Sequence, residues 1–176
     1  LIGNVRQAVG VSIFFLLLLG LLYPLAETGI GQALFSHQAN GSLSANGSEL
    51  VGQQWKGPQW FQGRPDSDDP MATGGSNLGP RSKDLLHDVQ AQIAKLKQDG
   101  ITPTQDLVTT SGSGVDPDIS PADAYAQVNA VAHARGLSVT TVHSLVAGHV
   151  RPPELGFLGS SYVNVLDLNE SLASLK

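Results

Sequence analysis

The 176-residue chain has no cysteine, a single methionine and only 14% charged residues. Without thiols there is no disulfide scaffold, no Cys-ligated zinc or iron–sulfur site, and no thiol nucleophile. Basic residues are scarce too: 10 Lys and Arg stand against 15 Asp and Glu, for a net charge of −5. They cluster nowhere beyond Lys95 and Lys97. With no basic stripe to neutralise phosphates, nucleic acid is excluded as a partner. The chain does have 20 Gly, 10 Pro and an apolar block concentrated in its first 35 residues. The length suits one domain of about 100–150 residues plus an accessory segment. These features predict a small acidic domain tethered to a membrane.

The tether is the uncharged stretch between Arg6 and Glu27, with Phe14-Phe15-Leu16-Leu17-Leu18-Leu19 at its centre. As an α-helix its twenty residues span about 30 Å, the thickness of a bilayer hydrocarbon core. Tyr23 suits the interface, and Pro24 sits where a last turn is easily ended. A core helix apolar on every face would need more protein around it than this chain supplies. A cleavable signal peptide has a shorter apolar region and a small-x-small site, and Tyr23-Pro24-Leu25-Ala26-Glu27 offers no Ala-x-Ala. The expectation is an uncleaved anchor. Arg6 precedes it and no Lys or Arg follows until Lys56, so the positive-inside rule places the N-terminus in the cytoplasm.

The expected organisation is a cytoplasmic N-terminus (1–6), a transmembrane helix (7–26), a turn-rich connector (27–54) and an extracytoplasmic α+β domain (55–176). The connector holds Asn40-Gly41-Ser42 and Asn46-Gly47-Ser48, read as turns, although both fit a glycosylation acceptor pattern. A helix is predicted over Lys83–Gln98 from Leu85, Val89, Ile93 and Leu96, with Ser82 as N-cap and Gly100 beyond its end. A second starts at Ser120 as N-cap, with Pro121 first, Asp123 three on and Gly136 as stop. A third runs from Ser138 to about Gly148. Strands are predicted over Leu50–Trp55, Asp106–Thr110 and Ser161–Leu166, and a short terminal helix over Glu170–Leu175.

Familiar catalytic motifs each fail at a named residue. Gly74-Gly75-Ser76-Asn77-Leu78-Gly79 has phosphate-loop glycines, but Pro80 and Arg81 replace Lys and Ser/Thr. Leu78 likewise spoils a Gly-x-Ser-x-Gly elbow, which weakens a hydrolase built on Ser76 or Ser113. In Gly112-Ser113-Gly114-Val115-Asp116-Pro117, proline takes the third glycine of a dinucleotide loop. An EF-hand from Asp66 would need Gly and Glu where Met71 and Asn77 stand. No two histidines lie three or four apart, so no zinc site is expected. The expectation is no catalytic residue and no metal. Two long polar loops, Arg64–Pro80 and Thr109–Pro121, remain as candidate docking surface, because ordered loops of this length usually carry function.

Those loops also carry a resemblance. Phe61-Gln62-Gly63-Arg64-Pro65, Gly74 through Pro80, Asp106 through Pro121, Val131-Ala132-His133-Ala134-Arg135-Gly136-Leu137, Leu155-Gly156-Phe157-Leu158-Gly159 and Val163 through Asn169 follow one another in order. In that order the chain resembles the C subunit of the bacterial Kdp potassium-transporting ATPases over nearly its whole length. Asp66 stands where that family usually has Ser, and Asp118 where it often has His. The tail Glu170-Ser171-Leu172-Ala173 and the short link from Leu43 to Ser48 also depart from the pattern. The resemblance implies a non-catalytic accessory subunit in the plasma membrane. Its partners would be a channel-like potassium-selecting subunit, a P-type ATPase subunit, a small single-span subunit and the lipid bilayer. It also implies a catalytic chaperone that raises the ATP affinity of the ATPase subunit, with nucleotide contact at Ser111, Gly112, Ser113 and Gly114 and no cofactor of its own. Partner contacts are expected at Arg64, Pro65, Ser76, Asn77 and Leu78, and at Asp116, Ser120, Asn164 and Asn169. The predicted topology turns the Ser/Gly loop away from cytoplasmic ATP, so an effect on nucleotide affinity would have to pass through the membrane as a coupling free energy.

Overall fold

The computed structural model describes residues 2–67, 69, 71 and 73–175, and the side chain of Ile2 is left aside. Asp68 of the acidic run and Lys176 lie outside the described residues. The chain divides into two compact units, Leu1–Leu43 and Ser44–Lys176.

The first unit is helical. Helix α1 (Ile2–Leu17) passes through a π-helical turn (Leu18–Leu22) into α2 (Tyr23–Leu34), and a single turn, α3 (Ser36–Ala39), follows. Proline lacks the N–H for an i−4 bond and its ring crowds that carbonyl; a widened turn just before Pro24 accommodates both. Gly3–Leu34 is long and apolar enough to cross a membrane. Helix therefore continues well past the expected end at residue 26. Residues 27–34, expected in the connector, are its last turns. Among the described side chains of α1 and α2, no large apolar one is buried.

The second unit is built on α6 (Pro121–Arg135), α7 (Val139–His149) and α8 (Val165–Ser174). The caps predicted at Ser82 and Ser120 are made, and the structure adds one at Ser138. Ser120 accepts from Asp123 N, with Asp123 returning the bond as a capping box, and Ser138 accepts from Thr141 N. Gly136 closes α6 in the left-handed conformation at φ 66°. Against these helices lie β1 (Asp118–Ile119) and β2 (Val163–Asn164), antiparallel with Ile119 opposite Val163. The core joins Val131, Val142, Val146, Val163, Leu168 and Leu172 with Phe61, which arrives from a loop. Helix α4 (Lys83–Gln98), capped by Ser82, and the turn α5 (Gln105–Val108) close a smaller cluster of Leu96, Ile101 and Leu107.

Three predicted strands are corrected. Leu50–Trp55 is irregular, with no strand or bridge assigned. In Asp106–Thr110 the chain forms the α5 turn instead, because Thr109 Oγ1 bonds the Gln105 carbonyl at 2.8 Å and Asp106 reaches out to Arg64. Ser161–Leu166 keeps only two strand residues. Asn164 accepts from Asp167 N and starts α8 there, five residues earlier than the predicted terminal helix.

Two buried amides fix the entry of the first polar loop. Asn169 Oδ1 accepts from Phe61 N and its Nδ2 donates to Phe61 O, both at 2.9 Å. Gln127 repeats the pattern one residue on, accepting from Gln62 N at 2.7 Å and donating to Gln62 O at 3.0 Å. Side chains thus pair an extended segment as a neighbouring strand would, leaving no buried peptide unpaired there. Arg135 lies 5.0 Å over the Trp60 ring, which itself packs on Trp55.

Candidate functional site

From Phe61 and Gln62 the chain runs into Arg64, which draws the two polar loops together. Arg64 Nη1 contacts Asp106 Oδ1 at 3.2 Å, and Nη2 donates to Thr109 Oγ1 and Thr110 O. Burial, then a hydrogen bond shared with Asp123, raise the Asp106 pKa above the usual carboxylate range, with Arg64 opposing them.

The centre of the junction is Asp66. Its Oδ1 accepts from Ser111 N at 2.6 Å, and Oδ2 accepts from Ser111 Oγ at 2.6 Å and Asp116 N at 2.9 Å. Ser111 Oγ in turn accepts from Gly114 N at 2.8 Å and lies 3.1 Å from Ser113 Oγ. Backbone bonds link Gly74 N to Ser113 O and Ser67 N to Gly114 O. Gly114 requires its lack of a side chain: φ is 71°, and a Cβ would come within 2.4 Å of Gly74 O. Ser111, the first residue of the Ser/Gly loop, thus gives both its N–H and its hydroxyl to the chain's own carboxylate.

The residues nominated from sequence fall in four places. Pro65, Ser76 and Leu78 line a cleft of about 330 Å³ against α4, with Val89, Gln92 and Val108 opposite. Neighbouring Asn77 has a left-handed backbone at φ 55°. Arg64, Ser111, Gly112, Ser113, Gly114 and Asp116 belong to the junction. Ser120 is spent on its helix cap and Asn169 is fully buried on Phe61. Asn164 lies apart, at a second cleft of about 730 Å³ beside Asp118 and Asp167.

Asp66 entered the sequence reading as the start of a failed EF-hand and as a departure from the family pattern, yet it organises the junction. Gln127 was not nominated at all; a glutamine facing the apolar stripe of α6 was the available signal. The structure also pairs Ser171 Oγ with His149 Nε2 at 2.9 Å, while His149 Nδ1 donates to Leu145 O at 2.8 Å. Asp167 and Glu170 line the same depression. Carboxylates beside that serine would oppose a developing oxyanion, the reverse of what acyl transfer needs. Ser76 Oγ accepts from Leu78 N, and Ser113 Oγ accepts from Val115 N and meets Ser111 Oγ; among the described residues no base is in place to accept either proton. Among the described residues no cluster of three or more His, Asp or Glu is placed to hold a metal.

Against known proteins, the family model described as KdpC, the K+-transporting ATPase c chain, matches residues 5–174. A protein of Caulobacter vibrioides named potassium-transporting ATPase KdpC subunit is 44% identical over 184 residues, covering 98% of this chain and 93% of the relative. A protein of the same name from Gemmatimonas aurantiaca is 45% identical over 185 residues, with 98% and 93% covered. Another from Kineococcus radiotolerans is 48% identical over 169 residues, with 89% and 86% covered. With nearly its full length inside that match, the chain belongs to the KdpC family.

Proposed function

We propose that this protein is a non-catalytic accessory subunit of an ATP-driven potassium uptake complex, acting by docking rather than by chemistry. The single observation that carries the reading is that one chain holds both a membrane-length apolar helix and a polar domain whose two loops are tied together at Asp66, Ser111 and Gly114. A helix with no buried side needs lipid or partner helices around it. Ordered polar loops present shape to a neighbour without needing catalytic groups. By the positive-inside rule, residues 1–6 are cytoplasmic and the second unit is extracytoplasmic. There it would sit on the channel-like, potassium-selecting subunit, with the ATPase subunit and a small single-span subunit in the same assembly.

Direct ATP contact at Ser111–Gly114 is the poorer reading. The Ser111 N–H and hydroxyl already bond Asp66, and Gly114 N bonds Ser111 Oγ, so a phosphate there would compete with these bonds and meet a carboxylate beside it. An effect on ATP affinity would then pass through the span as coupling between two states of the complex.

The test is extraction in mild detergent with the chain as bait. Co-purification of companion subunits with potassium-stimulated ATPase activity is expected; a chain recovered alone would overturn the docking reading. Protease should remove the second unit in intact spheroplasts and spare it in everted vesicles. The opposite pattern would overturn the orientation.

A further inference from the structure

The second cleft, of about 730 Å³, is not absorbed by the loop junction. One wall is a hairpin closed by the bridges Arg151–Tyr162 and Glu154–Leu158. The other wall is Glu49, β1 with Asp118, Asn164, and the first turn of α8 with Asp167. Four carboxylates line this space (Glu49, Asp118, Glu154 and Asp167), against Arg151 as the one Lys or Arg among the lining residues. Arg151 reaches Asp167 at 3.8 Å, a long contact, and the lining stays acidic even with Glu49 set aside. Asn164 fixes the floor by donating to Glu49 O at 2.9 Å and Asp118 Oδ1 at 3.0 Å.

The hairpin above the cleft is apolar and built to stay exposed. Leu155, Phe157 and Leu158 are 80%, 75% and 50% exposed. Leu155 holds a left-handed φ of 52°, followed by Gly156 at 81°. A non-glycine residue persists there when the surroundings over-determine it. Pro152 and Pro153 stiffen the stem, so the tip loses little freedom on binding. A protruding apolar tip beside an anionic cleft complements one chemistry: a basic side chain flanked by apolar neighbours. The bilayer surface is the poorer match, because acidic headgroups would meet these carboxylates with like charge.

We propose that this cleft receives an Arg or Lys side chain from a segment of a partner membrane protein, whose apolar neighbours cover Leu155 and Phe157. This deepens the docking function above and rests on it. Burial raises the pKa values of Asp118 and Asp167, with neighbouring carboxylates adding to the rise; a docked cation would relieve that repulsion.

The experiment compares wild type with the double variant Glu154→Lys/Phe157→Ser in complexes extracted in mild detergent across a salt series. The expected result is about tenfold weaker association of the variant with the pump subunits, with the wild type itself weakening as salt rises. Tryptophan fluorescence of unfolding should not move, since both positions are on the surface. In parallel, Leu155→Cys supplies the only thiol in the chain, for a photo-cross-linker in the assembled complex. The captured partner peptide should contain Lys or Arg between apolar residues, and changing that residue to Glu should restore binding of Glu154→Lys. Full-strength association of the double variant at every salt concentration would overturn the proposal. So would cross-links to lipid alone, or to a segment without a basic residue. Failure of wild type to co-purify would instead sink the docking function itself.

Discussion

The loop junction and the hairpin cleft are both acidic, loop-built and half-exposed, but they use their charge in opposite ways. At the junction one carboxylate, Asp66, is surrounded by donors from Ser111 and Asp116, and two loops close on it. In the cleft, several carboxylates line one space, with Arg151 against Asp167 as the one Lys or Arg among the lining residues. Several hydrogen bonds to one carboxylate hold structure together, whereas carboxylates placed near one another raise each other's pKa. The first region reads as a completed internal contact and the second as half of an external one. Altering each region should separate stability from association.

The largest effect is expected from Gly114→Ala at the junction. The added Cβ would fall 2.4 Å from Gly74 O, on a backbone at φ 71°. Backbone cannot give way as a flexible side chain can, so the two loops must separate, at a cost of about 3 kcal/mol. The unfolding midpoint in denaturant, read from the fluorescence of Trp55 and Trp60, measures this. An unchanged midpoint would mean that the junction contributes nothing to the fold.

Asp66→Ala should rank second. It strips the acceptor from two backbone N–H groups and one hydroxyl, and water can reach part of the space, so the loss should be about 2 kcal/mol. The same denaturation series with Glu154→Gln in the cleft should show no loss. If Asp66→Ala proved as silent as Glu154→Gln, the contrast between the two regions would disappear.

How much of this was legible depended on whether a signal was local. Ser82 and Ser120 bond backbone N–H groups three residues on, and Gly136 needs only its own backbone freedom. Those helix ends were therefore readable from spacing alone. The Asp106–Thr110 segment misled because Val108, Thr109 and Thr110 favour strand, while the deciding contact comes from Arg64, more than forty residues earlier. Asn164 and Asp167 carried a readable cap, overlooked beside the alternating Val163 and Val165. The long apolar helix was legible in kind but not in extent, since nothing in an apolar count ends a helix at residue 26. Of the candidate positions, Pro65, Ser76 and Leu78 do share one cleft. Asn169 is a core clamp instead, and Asp66 could not be recognised because its partners come from a loop 45 residues away.

The smallest effect, and the one that isolates the cleft, is its pH dependence. Asp106, Asp118 and Asp167 have native pKa values raised above 3.8, burial being the first cause in each. A raised carboxylate binds its proton more tightly in the folded than in the unfolded state. Its ionisation therefore costs stability at neutral pH, and that stability returns as pH falls through the raised value toward 3.8. Glu170 runs the other way: hydrogen bonds from Ser44 and then Asn46 hold it below 4.5, so its contribution is present above that value and lost below it. The second unit should accordingly be most stable in mildly acidic solution, above the range where Glu170 protonates. Asp118→Asn keeps an acceptor for Asn164 while deleting the charge. It should raise stability at pH 7 by no more than about 1 kcal/mol after solvent screening, and should reduce the gain on acidification. The remaining gain belongs to Asp106 and Asp167. Thermal melts at several pH values would measure both changes. A variant less stable than wild type at pH 7 would show that Asp118 is a structural anion like Asp66, and the cleft would then have no charge held in reserve for a partner.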